Sequence, residues 1–350
     1  MRKLLLLLIL YPVLAFAQPS PTYYNNAVGK SDNLLRTTLS SIIGNPNVTS
    51  YSGLYSAYNK TDINPSNGKI WDMYSNCNFT YGTDENHGTT GAECTNYNRE
   101  HTTPQSWFGE ASPMVSDIFN VYPTDTKVNG MRGNYPYGEV ASANYTSGNG
   151  SKLGTSSMPE YSGTVFEPIN EFKGDLARTC LYMATCYASV CQNWGSGANV
   201  VYGPNNGLST YSVALFLKWH RQDPVSSKET NRNNASQGVQ GNRNPFIDYP
   251  MLAEHIWGTK KGTPWSITSG INDLKIEFSV SPNPASKFLN VKTDEPNTTY
   301  RIISLNGMLV ESKKLNTSGT ISIEQLNDGM YFIELQMGNR KSIKKFVVNN

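Results

Sequence analysis

Three stretches of the chain carry apolar residues at helical spacing. In "SDNLLRTTLSSIIG" Leu34, Leu35, Leu39, Ile42 and Ile43 fall on one face, with Ser31 or Asp32 as a cap and Gly44 as the stop. In "GDLARTCLYMATCYASV" Leu176, Cys180, Met183, Ala184 and Tyr187 share a face, and "STYSVALFLKWHRQ" reads as a third helix ended by Pro224. Between these the chain turns to Gly, Asn, Ser and Tyr, notably over residues 134–163, which predicts loops with short strands. The pattern changes near residue 260. "IEFSVSPNP", "KFLNVKT", "TYRIISLNG", "MLVESKKL", "ISIEQL", "MYFIELQM" and "KSIKKFVV" are short alternating runs split by Pro, Gly and Asn turns, the pattern of a small β-sandwich. The expected fold class is α+β. A first domain over residues 18–260 has a helical shell, "TKKGTPWSITSG" opens a linker over 261–274, and an all-β domain occupies 275–350.

The start of the chain is read as an address. Arg2 and Lys3 precede an apolar run from Leu4 to Leu10, and "AFA" ends at Ala17. This is the pattern of a secretory signal peptide over residues 1–17, with the mature chain beginning near Gln18. The run is too short to span a bilayer, and no later stretch is long enough, so a secreted, soluble protein without a transmembrane segment is expected.

Charge narrows the chemistry only indirectly. Residues 18–270 hold 17 Lys and Arg against 19 Asp and Glu, and from 271 onward the counts are 10 and 8. That leaves no bulk basic footprint of a nucleic-acid binder, so any polyanion site must be local or take its positive charge from a metal. Five cysteines, Cys77, Cys94, Cys180, Cys186 and Cys191, sit in an oxidising context, and the odd count leaves at least one unpaired. Cys77 with Cys94, and Cys186 with Cys191, are the bridges considered, although sequence alone cannot fix the pairing. A zinc site of Cys77, His87, Cys94 and His101 matches no common spacing, and disulfides are preferred to it.

The candidate chemistry lies in "NREHTTPQSWF" (98–108), "SDIFNVYPTDTKVNGMRGN" (116–134) and "QGNRNPFIDYP" (240–250). A neutral imidazole at His101 can take a proton from water, and Glu100 is a hard oxygen ligand of the kind Mg²⁺ takes. Neighbours on a strand point to opposite faces, yet at a strand end both can line one cleft, and Pro104 is consistent with such an end. "IFNVYP" reads as a second strand ended by Pro123. A short helix follows, capped by Thr124 or Asp125, and it carries Asn129 with a neutral oxygen for the same ion. Strand, strand and helix make a ββα unit in which a metal-held phosphodiester could be attacked by water that His101 deprotonates. Asp117 and Asn120 are expected to orient His101, and Trp107 and Phe108 to pack beneath the cleft.

Two resemblances follow from these motifs. REHTTPQSW, SD-x-x-N-x-x-P-x-x-x-x-VNG-x-RGN, GDLARTCLYM and QGNRNPF occur in the order found in the endonuclease I family, and the similarity runs over most of residues 30–260. That resemblance implies a ββα-metal (His-Me finger) core with His101 as general base and Glu100 and Asn129 as ligands of Mg²⁺, with Mn²⁺ or Ca²⁺ as alternatives. It also implies hydrolysis of DNA, and of RNA as a second substrate, without sequence preference and leaving a 5′-phosphate. Several members place an arginine in the loop after the strand, but here no Lys or Arg occurs between His101 and Lys127. Arg132 and Arg243 are the preferred replacements as phosphate ligands, ahead of Arg99. The tail, with "SVSPNPASKFLNV", "YRIISLNGMLV" and "LNDGMYFIELQMGNRKSIKKFVV", resembles the C-terminal sorting domain of type IX secretion substrates. It implies the secretion machinery as a partner and a secreted or cell-surface location. A monomer is expected. The competing reading is a catalytically weak surface adhesion or glycan-binding protein on a nuclease-like scaffold.

Overall fold

A computed structural model describes residues 19–86, 91–267, 276–293, 295, 298–315, 317–337 and 340–349. The expected signal peptide, His87 and half of the expected linker lie outside the described residues.

The first domain opens with α1 (Asp32–Ile43), preceded by Ser31 and closed at Gly44, whose N–H donates to the Ser40 carbonyl. Its buried stripe is narrower than the spacing predicts: Leu35, Leu39 and Ile43 are buried, Ile42 is half-buried and Leu34 is exposed. A second helix, α2 (Gly53–Thr61), has too mixed a pattern to be read from sequence. Two strands follow, β1 (Tyr97–His101) and β2 (Val121–Asp125), paired antiparallel, and then α3 (Thr126–Arg132). A meander of β3 (Val140–Thr146), β4 (Lys152–Ser156) and β5 (Thr164–Glu167) occupies the stretch expected to hold short strands. The helix α4 (Lys173–Cys186) is buried along its whole length rather than on one face, because it runs through the middle of the domain with α1 and α5 (Thr210–Gln222) packed on it.

Two further local expectations are corrected. β2 does not end at Pro123 but runs through it to Asp125, with Pro123 opposite Arg99. The Thr102 N–H donates to Asn120 and the Thr126 N–H to Asn96, so counting by twos puts Arg99 and Pro123 at a non-hydrogen-bonded pair. Proline is tolerated there because no ladder bond needs its N–H. The other correction is α6 (Ser227–Gln240), which no apolar period announces. Its helical stripe is polar, since Glu229, Arg232, Asn233, Ser236 and Gln240 are the residues it buries. The readable signal was its capping box, in which the Ser226 hydroxyl accepts from the Glu229 N–H and the Glu229 carboxylate accepts from the Ser226 N–H.

The all-β domain has the seven strands expected: β6 (Phe278–Ser281), β7 (Phe288–Thr293), β8 (Thr298–Ser304), β9 (Leu309–Leu315), β10 (Ser318–Ser322), β11 (Gly329–Met337) and β12 (Arg340–Val348). They form two antiparallel sheets, ordered β10-β7-β6 and β12-β11-β8-β9. Alternation along β7 buries Leu289, Val291 and Thr293 and exposes the residues between them. Each domain has its own apolar core. Trp265 is fully buried in the first and exchanges backbone hydrogen bonds with Gly29 and Lys30, so the packed chain runs past residue 260.

Of the two bridges considered, Cys77–Cys94 is present, with Cα atoms 5.1 Å apart. Cys186 and Cys191 are not joined. Both thiols are buried, one directed at the Ile43 carbonyl and the other at the carbonyls of Ala184 and Gly207. Cys180 is also free. Cys77 and Cys94, two of the four residues of the zinc alternative, are joined to each other and so offer it no free thiolate.

Candidate active site

The strand β1 divides the site into two faces by its period of two. Asn98 and Glu100 meet α3, while Arg99 and His101 meet Tyr51. The helix α3 is set by Asp125, whose side chain accepts from the Val128 N–H as its N-cap and from the Cys94 N–H beside the disulfide. Thr124, the other candidate cap, is a residue of β2.

His101 ends β1 and is buried, its ring stacked on Tyr51 with centroids 5.8 Å apart and tilted against Phe108 at 6.3 Å. Its Nε2 lies 2.9 Å from the Val115 carbonyl. A carbonyl can only accept, so Nε2 carries the proton and Nδ1 is left as an acceptor with no partner among the described residues. Burial pushes the imidazole down to about 4, with the Arg132 and Arg99 charges acting the same way and the Val115 bond opposing them. The ring is therefore neutral at ordinary pH, the form a general base needs.

Glu100 is 2 % exposed. Its Oε1 accepts from the Tyr74 hydroxyl at 2.9 Å and from Arg132 at 2.9 Å, and the carboxylate also accepts from the His101 N–H. Burial pushes this carboxyl up to about 7, against the pull of Arg132 and Tyr74. Asn129 donates its amide to the Asn98 side chain at 2.7 Å and to the Arg99 carbonyl, which leaves its Oδ1 without a partner among the described residues. Both residues are thus anchored to protein and carry hard oxygen donors, a pair suited to Mg²⁺ with water completing the shell.

The arginines sort differently from expectation. Arg132 donates to Glu100, to the His101 carbonyl and to the Thr102 carbonyl, and lies 4.9 Å over the Tyr137 ring. It is buried, and it holds the end of β1. Arg243 is buried as well, bonded to both oxygens of Asp248 and to Gln237 and Asn234, so it ties the 240–250 turn to α6. Arg99 is the partly exposed one. Its Nη1 donates to the Tyr51 carbonyl, and its guanidinium stacks on Tyr51 at 3.7 Å and on Tyr55 at 4.7 Å. Burial of long polar side chains, which sequence does not display, decides this order.

The supporting residues act one step further out than expected. Asp117 does not bond His101; it accepts from Tyr182, Tyr187 and Gln240. Asn120 accepts from the Thr102 hydroxyl and the Thr103 N–H and donates to the Met114 carbonyl. It thereby fixes both the chain after His101 and the turn that presents Val115. Trp107 is buried against Tyr202, and it is Phe108 that reaches the imidazole. Tyr51, Tyr74 and Val115 were missed. Tyr51 and Tyr74 lie far upstream in chain, and Val115 contributes a backbone oxygen, so no motif could mark them.

Comparison with known proteins agrees with this architecture. The Endonuclease I family model matches residues 31–251, and the model of the secretion system C-terminal sorting domain matches residues 279–349. An extracellular ribonuclease of Bacillus amyloliquefaciens is 35% identical over 245 residues, covering 67% of this chain and 78% of that protein. An extracellular ribonuclease of Bacillus subtilis (strain 168) is 32% identical over 242 residues, covering 67% and 78%. An extracellular deoxyribonuclease of Aeromonas hydrophila is 30% identical over 139 residues, covering 40% of this chain and 52% of its own. Among the described residues no helix is long and apolar enough to cross a membrane. The chain belongs to the endonuclease I family, as a secreted or cell-surface nuclease followed by a secretion-system sorting domain.

Proposed function

We propose that the protein is a metal-dependent endonuclease that hydrolyses RNA and DNA phosphodiesters with little sequence preference. The observation that carries this reading is His101, whose Nε2–Val115 bond frees Nδ1 at the end of the strand that carries Glu100 and meets the helix bearing Asn129. His101 Nδ1 takes the proton of the attacking water. The Glu100 carboxylate and Asn129 Oδ1 would hold a divalent cation, Mg²⁺ by their chemistry, which would offset the charge that builds on the phosphate. Arg99 replaces Arg132 and Arg243 as the group that meets a phosphate, because its guanidinium is partly exposed and theirs are enclosed. Backbone contacts of this kind carry no base information, which fits a nuclease without sequence preference. Both polymers are proposed because the relatives aligned over two thirds of the chain are named ribonucleases and a shorter match is named a deoxyribonuclease. An N-terminal signal peptide over residues 1–17 starts the export that the tail completes.

The test uses plasmid DNA and a structured RNA, with Mg²⁺ and with chelator. Chelation should abolish cleavage of both, and His101→Ala should lower the rate by roughly 10²- to 10⁴-fold. Glu100→Ala should raise the Mg²⁺ concentration needed. A parental rate in His101→Ala removes the base assignment, and full activity in chelator removes the cation. Intact polymers after incubation with wild-type protein would favour the binding-only alternative.

A further inference from the structure

The aromatic ring beside the base has no part in the chemistry described so far. Tyr51 precedes α2, about fifty residues upstream of β1, and is 37 % exposed. Its ring stacks on His101 with an interplanar angle of 24°, and the Arg99 guanidinium carbon lies 3.7 Å from the ring centroid. Its backbone carbonyl accepts from Arg99 Nη1 at 2.9 Å. Arg99 and His101 are two apart on β1 and so face the same way. One tyrosine therefore touches both side chains on that face, one through its π-system and backbone and the other by stacking.

We propose that Tyr51 is a positioning residue that holds the Arg99 guanidinium and the His101 imidazole in a fixed mutual geometry. The physical need is specific. Arg99 has four side-chain torsions, is bonded to the Tyr51 carbonyl through Nη1 and to the Tyr55 side chain, and has no partner among the described residues at its buried Nε. Without an aromatic face to lie on, a guanidinium at a strand surface samples many rotamers. His101 is held at one nitrogen by Val115, which leaves rotation about that bond to be limited by the rings on either side, Tyr51 and Phe108. A stacked ring between the two ties the base on the water to the cation on the phosphate, and small misplacements at such sites cost large factors in rate. Tyr55, whose ring lies 4.7 Å from the Arg99 guanidinium carbon, supports the cation from α2.

The proposal rests on the nuclease reading, and the experiment separates the two. Steady-state cleavage of a fluorogenic RNA is measured for the mature protein and for His101→Ala, Tyr51→Leu, Tyr51→Phe, Arg99→Ala and Tyr51→Leu/Arg99→Ala. Tyr51→Leu keeps apolar bulk but has no π-face, and should lower kcat by about tenfold or more with an unchanged melting temperature. Tyr51→Phe, which keeps the ring, should restore most of that loss. The double variant should be little worse than the poorer single variant, because both remove one unit. Tyr51→Leu within about threefold of wild type, Tyr51→Phe as impaired as Tyr51→Leu, or fully multiplicative losses in the double variant each overturn the positioning role while His101→Ala still confirms the nuclease. Absence of hydrolysis by wild-type protein overturns both.

Discussion

In the nuclease domain Arg132, Arg178, Arg232 and Arg243 are all buried, and each is paired with a carboxylate: Glu100, Glu229, Asp62 and Asp248. In the C-terminal sandwich Glu334 is the one buried charged side chain among the described residues, and its partners Arg301 and Lys341 lie at the surface. The sandwich is held by interleaved apolar residues such as Leu289, Ile302, Ile333 and Leu335, all fully buried. The difference follows from what each domain must do. A nuclease must hold several polar groups at set positions, and buried ion pairs that also reach backbone carbonyls do that at a desolvation cost. A sorting module has only to present a folded surface, for which an apolar core is sufficient.

The largest expected break in this contrast is at Arg178. It donates to both oxygens of Glu229 and to the Asp223 carbonyl, and so joins α4 to α6. Arg178→Met leaves Glu229 buried without its partner and should destabilise the nuclease domain by about 3–5 kcal/mol. Urea denaturation followed by tryptophan fluorescence measures this, since Trp219 is in this core and the sandwich has no tryptophan. A loss under about 1 kcal/mol would mean the pair contributes no more than a surface one.

A pH test is next in size. Burial pushes His220 down to about 3, with Arg178 acting in the same direction and the Pro250 bond opposing. The folded value is below the unfolded one of about 6.5, so the unfolded chain binds more protons between them. This stabilisation is therefore present above about pH 6.5 and is lost as the pH falls. Buried Asp72 and Glu100, both raised to about 7, run the other way, so the comparison must be made against a variant. Between pH 7.5 and 4.5, His220→Gln should gain about 2–3 kcal/mol relative to wild type. Parallel stability curves for the two proteins would contradict the shift. All four histidines lie before residue 268, so no such term is expected in the sandwich.

The smallest effect belongs to the tail. Arg301 bonds Glu334 at 3.0 Å but is 39 % exposed on its side chain. Arg301→Ala should cost less than about 1 kcal/mol in the sandwich's own unfolding transition. A cost near that of Arg178→Met would erase the distinction between the two domains.

Legibility followed the same division. The seven strands of the tail could be read because alternation there reports burial directly, and α1, α4 and α5 because their apolar residues recur at helical spacing. The helix α6 was missed because its buried stripe is polar, and β2 was cut short because Pro123 looks like a stop unless its pairing phase is known. At the site, Glu100, His101 and Asn129 could be picked out because they lie in motifs around one strand and the helix after the next. Arg132 and Arg243 were assigned to phosphate because an arginine in sequence carries no sign of whether its guanidinium is enclosed.

The sequence by itself determined the two-domain α+β organisation, the family, the export address and the residue types that could do chemistry, since all of these depend on local pattern and motif order. Tertiary structure alone decided that Val115 sets the His101 tautomer, that Tyr51 lies across Arg99 and His101, and that two of three candidate arginines are enclosed. These depend on contacts between segments far apart in the chain and on which atoms the fold removes from water. No local pattern encodes either one.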